Sequence, residues 1–352
     1  MAGAGQAGLA EGVDLERFDP AADPATTRRC HELYLAGVPF DDPGLTGLSL
    51  PAFTAWLALG WTEDPTEAWL ARDGGQVCGW YKISFPEREN TQLAFVAPLV
   101  GPAHRRCGAG TALIRHAAAR VDQRGRMTLA GHTRQGSPGA GFCRALGARP
   151  GITEAIRVLR VDAIPAGRLS RLRARAEAAA RGYTVLSWEG PVPERYLAAL
   201  AALNQAAGDA PHDAGTEEQR WDTARVRQSQ ARVAAQGLRY YTVAARCERT
   251  GELAGMSQLG VDPVQPDWGL QELTVVARQH RGHRLGLLVK VVMLQLLAQR
   301  EPLVERILTG NADSNQHMVA INAELGFQVL DHSLSWQRAV AEVLARPAAA
   351  QP

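Results

Sequence analysis

Residues 91–121 read TQLAFVAPLVGPAHRRCGAGTALIRHAAARV, and residues 268–298 read WGLQELTVVARQHRGHRLGLLVKVVMLQLLA. Each is an apolar run of strand length, a short turn rich in Gly and Arg, and a longer segment of helical period. Gly286 stands 176 positions after Gly110 (286 − 110), which is half of the 352-residue chain. A repeat at that spacing means two copies of one supersecondary plan.

The surroundings of the two stretches agree. Each helix is followed by a short strand-like run, residues 126–132 and 306–309, then by a second helix ending at Leu146-Gly147 or Leu325-Gly326. Ahead of each lie two alternating runs, 68–72 with 76–85 and 240–246 with 253–261. The turns between them, Asp73-Gly74-Gly75 and residues 248–251, suit hairpins. Helical segments come earlier still, at 26–35 and 50–59, and at 193–205 and 217–236. Each half therefore runs strand, two helices, three strands, helix, strand, helix, strand. That order predicts a duplicated α+β domain, each copy a mixed, mostly antiparallel sheet flanked by helices. The expected boundaries are 13–162 and 183–345, joined by a connecting helix at 163–182, with disordered ends at 1–12 and 346–352.

Composition narrows the function classes. With 38 basic and 36 acidic residues the net charge is +2, so no field for a polyanion is expected. The segment 164–182 carries five arginines and no aromatic residue for base stacking, and reads as a solvated connector, not a nucleic-acid helix. Five cysteines, odd in number and never spaced as CxxC, argue against a disulfide framework or a zinc site, and point to a reducing cytoplasm. No His/Cys/Asp cluster has metal-ligand spacing. The N-terminus lacks the basic and apolar regions of a signal peptide. The most apolar helical stretch, 285–298, is interrupted by Lys290 and Gln295 and is too short to span a bilayer.

The Gly/Arg turn is where chemistry enters. In Arg105-Arg106-Cys107-Gly108-Ala109-Gly110 the glycines let successive N–H groups curl toward one point. The following helix start adds free donors and a partial positive charge, and arginines at the mouth add phosphate-pairing charge. Strand, donor-rich turn and helix together predict a pyrophosphate cradle. It is neither a Walker loop, lacking GK[ST], nor a dinucleotide GxGxxG.

The pattern [QR]-x-x-G-x-[GA] between strand and helix resembles the acyl-CoA signature of the GNAT superfamily of N-acyltransferases. Val100-Gly101-Pro102-x-x-Arg105 matches that family's lead-in, and Asn315-x-x-Met318-x-x-Ile321-x-x-x-Leu325-Gly326-Phe327 its late helix. The resemblance covers about Val13 to about Val343. It extends to two-domain members such as those of mycothiol synthesis and the clavulanic acid cluster, in actinobacterial thiol and antibiotic metabolism.

The resemblance implies a splayed, bulged strand ahead of each loop, with pantetheine pairing to main-chain groups of Leu99 and Val100, and of Val275 and Val276. It implies that Arg105, Arg106, Cys107, Gly108, Ala109, Gly110 and Thr111 hold the pyrophosphate in the first copy. In the second these are Arg281, Gly282, His283, Arg284, Leu285 and Gly286, with Arg284 at the place of Gly108. The first copy thus promises the better acyl-CoA site. An acid on the central strand serves many members as base. Glu272, four residues before Val276 and by alternation on the same strand face, is the candidate. Its bland reading is a surface or ion-paired carboxylate, and the first copy has Val96 there.

The late-helix Tyr that protonates the leaving thiolate in many members is Cys143 in the first copy and Asn322 in the second. Asn311 and Asn315 either contact pantetheine or cap the late helix. Cys107 is a reactive thiol or simply turned outward, and His283 and His317 are surface residues beside the groove. Trp56, Trp61, Trp69 and Trp80 read as core of the first copy.

The resulting expectation is an acyltransferase, a GNAT N-acetyltransferase using acetyl-CoA or another acyl-CoA, with one molecule per domain. The N-terminal copy would hold acetyl-CoA as a resident element, and the C-terminal copy would acylate a small amine. A non-catalytic acyl-CoA sensor and a protein N-acetyltransferase are the alternatives. No nucleic acid, membrane or metal is expected as a partner, and the sequence leaves homodimerisation open.

Overall fold

The computed structural model describes residues 13–60, 64–209, 213 and 215–345. The ends expected to be disordered, 1–12 and 346–352, and Trp61 lie outside the described residues.

In chain order the first half forms β1 (Val13–Phe18), α1 (Pro24–Asp41), α2 (Leu50–Ala58), β2 (Thr66–Asp73), β3 (Gln76–Ser84) and β4 (Leu93–Val100). It continues with α3 (Ala109–Gln123), β5 (Thr128–Arg134), α4 (Pro138–Ala145) and β6 (Arg149–Arg160). After α5 (Arg168–Ala179) come β7 (Tyr183–Glu189), α6 (Leu197–Ala206), α7 (Thr223–Ala235), β8 (Arg239–Cys247), β9 (Leu253–Val261) and β10 (Trp268–Val276). The chain closes with α8 (Leu285–Arg300), β11 (Arg306–Ala312), α9 (Gln316–Leu325), β12 (Gln328–Ala339) and α10 (Val340–Leu344). The halves match element for element, as the repeat requires. Local signals set the helix starts. Asp23, Ser49, Ser137 and Asp222 each accept a backbone N–H of the first turn, and proline follows the first three.

The compact units are not the contiguous halves. One contains residues up to Gly151 together with Ser333 onward, and the other is Ile152–His332. In the first, strands run β1-β2-β3-β4-β5 and the sheet is closed by β12, whose Ser333–Ala339 pair antiparallel with Arg134–Thr128 of β5. In the second, the order is β6-β11-β10-β9-β8-β7, and Glu154–Arg160 of β6 pair antiparallel with Ala312–Arg306 of β11. The closing strand of each half therefore lies in the other unit, against the expected cuts at 162 and 183.

Side chains specify the exchange. Trp336 of β12 is buried with Ala140 and donates from Nε1 to Thr133 Oγ1 at 2.8 Å. Arg157 of β6 finds Asn311 and Asp313 on or beside β11, at 2.9 and 3.3 Å. A buried guanidinium needs such partners.

The first unit buries Ile83, Phe85, Leu113, Val121, Val340 and Val343 between α3 and the sheet, and Phe53, Leu57, Leu70 and Trp80 beneath α1 and α2. Trp56 and Trp69 pack against these clusters, so three of the four tryptophans are core. The second unit repeats the plan. Leu285, Leu288, Val291 and Leu294 of α8 cover one face, and Leu197, Leu200 and Val226 of α6 and α7 cover the other.

The connecting helix is more than a solvated spacer. Leu172, Ala176 and Ala180 join the α8 core, and Arg168 donates to the Glu324 carbonyl at 2.8 Å. No helix of the described residues is long and apolar enough to cross a membrane. All five cysteines are free, and among the described residues no group of His, Cys, Asp and Glu could hold a metal.

Candidate functional site

Two clefts arise where parallel pairing stops. β4 pairs with β5 only over Leu93–Phe95 and Thr128–Ala130, yet β4 stays on β3 as far as Val100 opposite Gly79. β10 pairs with β11 only over Trp268–Gln271 and Arg306–Thr309, yet stays on β9 as far as Val276 opposite Gly255. Each central strand thus leaves its parallel neighbour, and the main-chain groups of its last turn face an opening. Leu99 and Val100, and Val275 and Val276, occupy those limbs. A Cβ at Gly79 would lie 2.6 Å from the Leu99 carbonyl oxygen, and one at Gly255 would lie 2.9 Å from that of Val275. Only glycine lets the flanking strand follow so closely.

The loops below the limbs share one backbone plan with different residues. Arg106 (φ 68°) and Gly108 (φ 86°) are left-handed in the first, and Gly282 (φ 88°) and Arg284 (φ 53°) at the same alternate positions in the second. Left-handed residues at alternate positions turn successive amides toward a common concavity, an anion nest. α3 and α8 start immediately afterwards at Ala109 and Leu285, with no capping side chain on either N-terminus. These are the donors a diphosphate would take, so the residues present fit the acyl-CoA expectation.

Arginine at the loop entrance acts as a brace. Arg105 Nε donates to the Val100 carbonyl at 3.1 Å, and Arg281 Nε to that of Val276 at 3.3 Å. Arg105 also holds Asp41 at 2.5 Å. Arg284 Nη1 lies 3.5 Å from Glu324 Oε1, so its guanidinium leans on the end of α9. Cys107 is exposed, its Sγ 3.5 Å from the Arg105 carbonyl. His283 is exposed beside the Tyr183 ring, at 5.3 Å between centroids.

Glu272 sits at a β-bulge. Gln271 faces Leu259 while Thr274 faces Ser257, so three steps on β10 match two on β9. The extra residue breaks alternation. Leu273 and Val275 pack beneath α6 and α7, whereas Val276 packs on the α8 side. Glu272 therefore does not share a face with Val276, as simple alternation predicted. It points to the α6–α7 side, where its Oε2 accepts from Tyr240 Oη at 2.6 Å. The first unit shows no register shift between β3 and β4, so the expected bulge belongs to the second cleft only.

Tyr240 is the site residue that sequence reading missed. It is buried, and burial, with the Glu272 carboxylate as the next cause, holds its hydroxyl well above the ordinary tyrosine range as a standing donor. Its cross-strand neighbour is Gly260, where a Cβ would come within 3.4 Å of Tyr240 Cδ2. The missing side chain lets the ring pass over β9 to Glu272. A Tyr followed one strand later by a Gly is the only signal, and it means nothing without the register. Were Glu272 to serve as a base, Tyr240→Phe should leave the fold intact and lower turnover about 10-fold by freeing the carboxylate to turn away, a loss of about 1.4 kcal/mol. Steady-state kinetics with unchanged thermal stability would check this.

The late helices supply no tyrosine. Cys143 is half-buried, its thiol pushed up to about 11 by burial. Asn322 is fully buried, donating to Asn311 Oδ1 at 3.0 Å and accepting from Lys290 Nζ at 2.6 Å. Asn315 is the cap of α9, accepting from the Met318 amide at 3.3 Å. Asn311 is tied to Arg157 and Asn322 on the open limb of β11.

Comparisons with known proteins agree with the fold. Residues 30–147 match the acetyltransferase (GNAT) family. A tandem GNAT protein from the clavulanic acid biosynthesis pathway has the same fold, with a TM-score of 0.78 and 26% identity over 93% of this chain and 98% of that one. A GCN5-related N-acetyltransferase from Sphaerobacter thermophilus aligns with a TM-score of 0.65 and 18% identity, over 95% of this chain and 97% of its own. No curated protein sequence matches the chain.

Proposed function

We propose that this tandem GNAT-fold chain, whose residues 30–147 match the acetyltransferase (GNAT) family, is an acyl-CoA-dependent N-acyltransferase acting on a small amine. The observation that carries the reading is the paired arrangement of open strand limb, left-handed loop and uncapped helix start, found in both units. Arg106 to Thr111 would hold the diphosphate in the first cleft, and Gly282 to Gly286 in the second. The limb residues Leu99 and Val100, or Val275 and Val276, would pair with the pantetheine amides as an added strand. Acyl-CoA, when bound, supplies an activated thioester carbonyl.

The clefts are unequal, and the inequality assigns roles. Only the second has a carboxylate at the bulge, held by Tyr240 and directed to the face opposite α8. Glu272 would take the proton of an amine approaching from the α6–α7 side, while the diphosphate lies on the α8 side. In the first cleft the position of Glu272 is taken by Val96, which faces the α3 core. That cleft is the resident site, with the catalytic site in the second unit. Similarity to a protein of the clavulanic acid pathway supports a role in secondary metabolism, with an amine of that chemistry as acceptor.

Native mass spectrometry with acetyl-, succinyl- and longer acyl-CoAs tests the reading. One retained CoA and a second that binds on addition are expected. Gly110→Trp fills the first turn of α3, where a Cβ already meets Phe142 at 3.5 Å, and should remove the retained molecule alone. No adduct under any condition would reduce both loops to ordinary turns. Label transferred to peptides but not to small amines would redirect the proposal to a protein N-acetyltransferase.

A further inference from the structure

Lys290 has no part in the chemistry above, yet it is 1% exposed in the middle of α8. Its Nζ donates to Asn322 Oδ1 at 2.6 Å and lies 4.8 Å from the centroid of the Phe327 ring. Asn322 donates in turn to Asn311 Oδ1 at 3.0 Å, and Arg157 Nη1 donates to that same oxygen at 2.9 Å. Two buried cations thus converge on Asn311. That residue is half-exposed and lies two positions beyond Thr309, the last residue of β11 that pairs with β10. It therefore stands on the open limb of the second cleft. Ile321, the neighbour of Asn322, reaches the start of α8, within 3.0 Å of where a Cβ on Gly286 would be; that same position is 3.7 Å from Val276. Lys290 and Asn322, both fully buried, thus lie behind Asn311 on that limb.

The charges in this stack do not balance. The one carboxylate in the chain of bonds is Asp313, which is exposed and lies 3.3 Å from Arg157 and 3.5 Å from His332. Among the described residues no carboxylate pairs with Lys290. Burial without a counterion pushes its ammonium down to about 7. A buried cation lacking an anion is costly, and α8 would bury an apolar residue at that position as easily. The corresponding residues of the first unit, Ile114 and Cys143, carry no cation.

We infer that Lys290, held behind Asn322 and Asn311, is a positioning residue that stabilises negative charge on the coenzyme A sulfur in the second cleft. The inference rests on the N-acyltransferase reading. In acyl transfer the acyl carbon gains a bond to the amine nitrogen, the C–S bond breaks with its electron pair left on sulfur, and the amine proton goes to Glu272. The anion so formed has no late-helix tyrosine to protonate it. In its ammonium form, Lys290 in a dry wall favours that developing charge over the neutral thioester, which is the condition for catalysis.

The test is the ionisation of bound coenzyme A thiol, followed by the ultraviolet absorbance of the thiolate. It uses the full chain carrying Gly110→Trp, so that only the second cleft is occupied. The bound thiol should titrate about one unit or more below free coenzyme A. Lys290→Met, which keeps the side-chain length and deletes a buried charge, should return it to the free value with affinity for coenzyme A changed less than about threefold. The same substitution in the chain with both cradles intact should lower kcat about 10–100-fold with little change in KM for acyl-CoA. Should that variant fail to fold, Asn322→Asp, which gives Lys290 a carboxylate, must abolish the shift as well. A thiol that titrates as free coenzyme A while bound overturns the role of Lys290 and leaves the acyltransferase reading standing. Failure of coenzyme A to bind the second cleft overturns that reading itself.

Discussion

Deleting residues 333–352 is expected to unfold the unit that carries the first proposed acyl-CoA cradle, although the cut lies far in sequence from Gly108 and Gly110. The deletion removes the ladder of Ser333–Ala339 on β5 and the burial of Leu334, Trp336, Val340 and Val343. Each fully buried apolar side chain contributes about 1.5–3 kcal/mol, so these four account for about 6–12 kcal/mol. That matches the whole stability of an ordinary domain, about 5–15 kcal/mol. Thermal unfolding by circular dichroism and limited proteolysis would report it. The expected result is early cleavage within residues 13–151 and loss of the retained CoA. Trp336→Ala alone should cost about 3–5 kcal/mol. If the truncated chain keeps the protease resistance of residues 13–151, the assignment of the terminal strand to this unit is wrong.

Glu272→Gln is expected to lower kcat for amine acylation by about 10²–10⁴-fold, the range for removing a general base. The amide keeps the shape and can still accept from Tyr240 Oη, now at 2.6 Å from Oε2, but it cannot take the amine proton. Affinity for acyl-CoA should not change, because the cradle lies on the other face of the sheet. Glu272→Asp should recover part of the rate. Equal turnover by the wild-type protein and Glu272→Gln, with any amine, would remove Glu272 from the mechanism and favour a water path or a non-catalytic acyl-CoA-binding role.

Much of this was legible without coordinates. The repeat, the order of elements in each half and the two turns at 105–110 and 281–286 follow from local patterns, because helical period, strand alternation and glycine position act over a few residues. The left-handed positions were less obvious, since each loop spends one glycine and one arginine on them in opposite order. Backbone geometry preserves the nest even where the residue at a position changes. The bulge at Glu272 defeated alternation for the same reason that alternation usually works: one inserted residue moves every side chain after it to the other face.

What the sequence by itself determined, then, is the duplicated α+β plan and the place of both Gly/Arg turns, since these depend on neighbours in the chain. Only the tertiary structure decided which closing strand completes which sheet, because β6 and β12 have interchangeable strand patterns. Their choice of β11 or β5 is made by distant partners, Asn311 and Asp313 for Arg157, and Thr133 and Ala140 for Trp336. Tertiary structure likewise decided that Tyr240 meets Glu272 across a glycine, and that Lys290 is buried against Asn322. Such contacts join residues that are tens to hundreds of positions apart. Their free energy depends on burial and hydrogen-bond geometry, which exist only once the sheets are assembled.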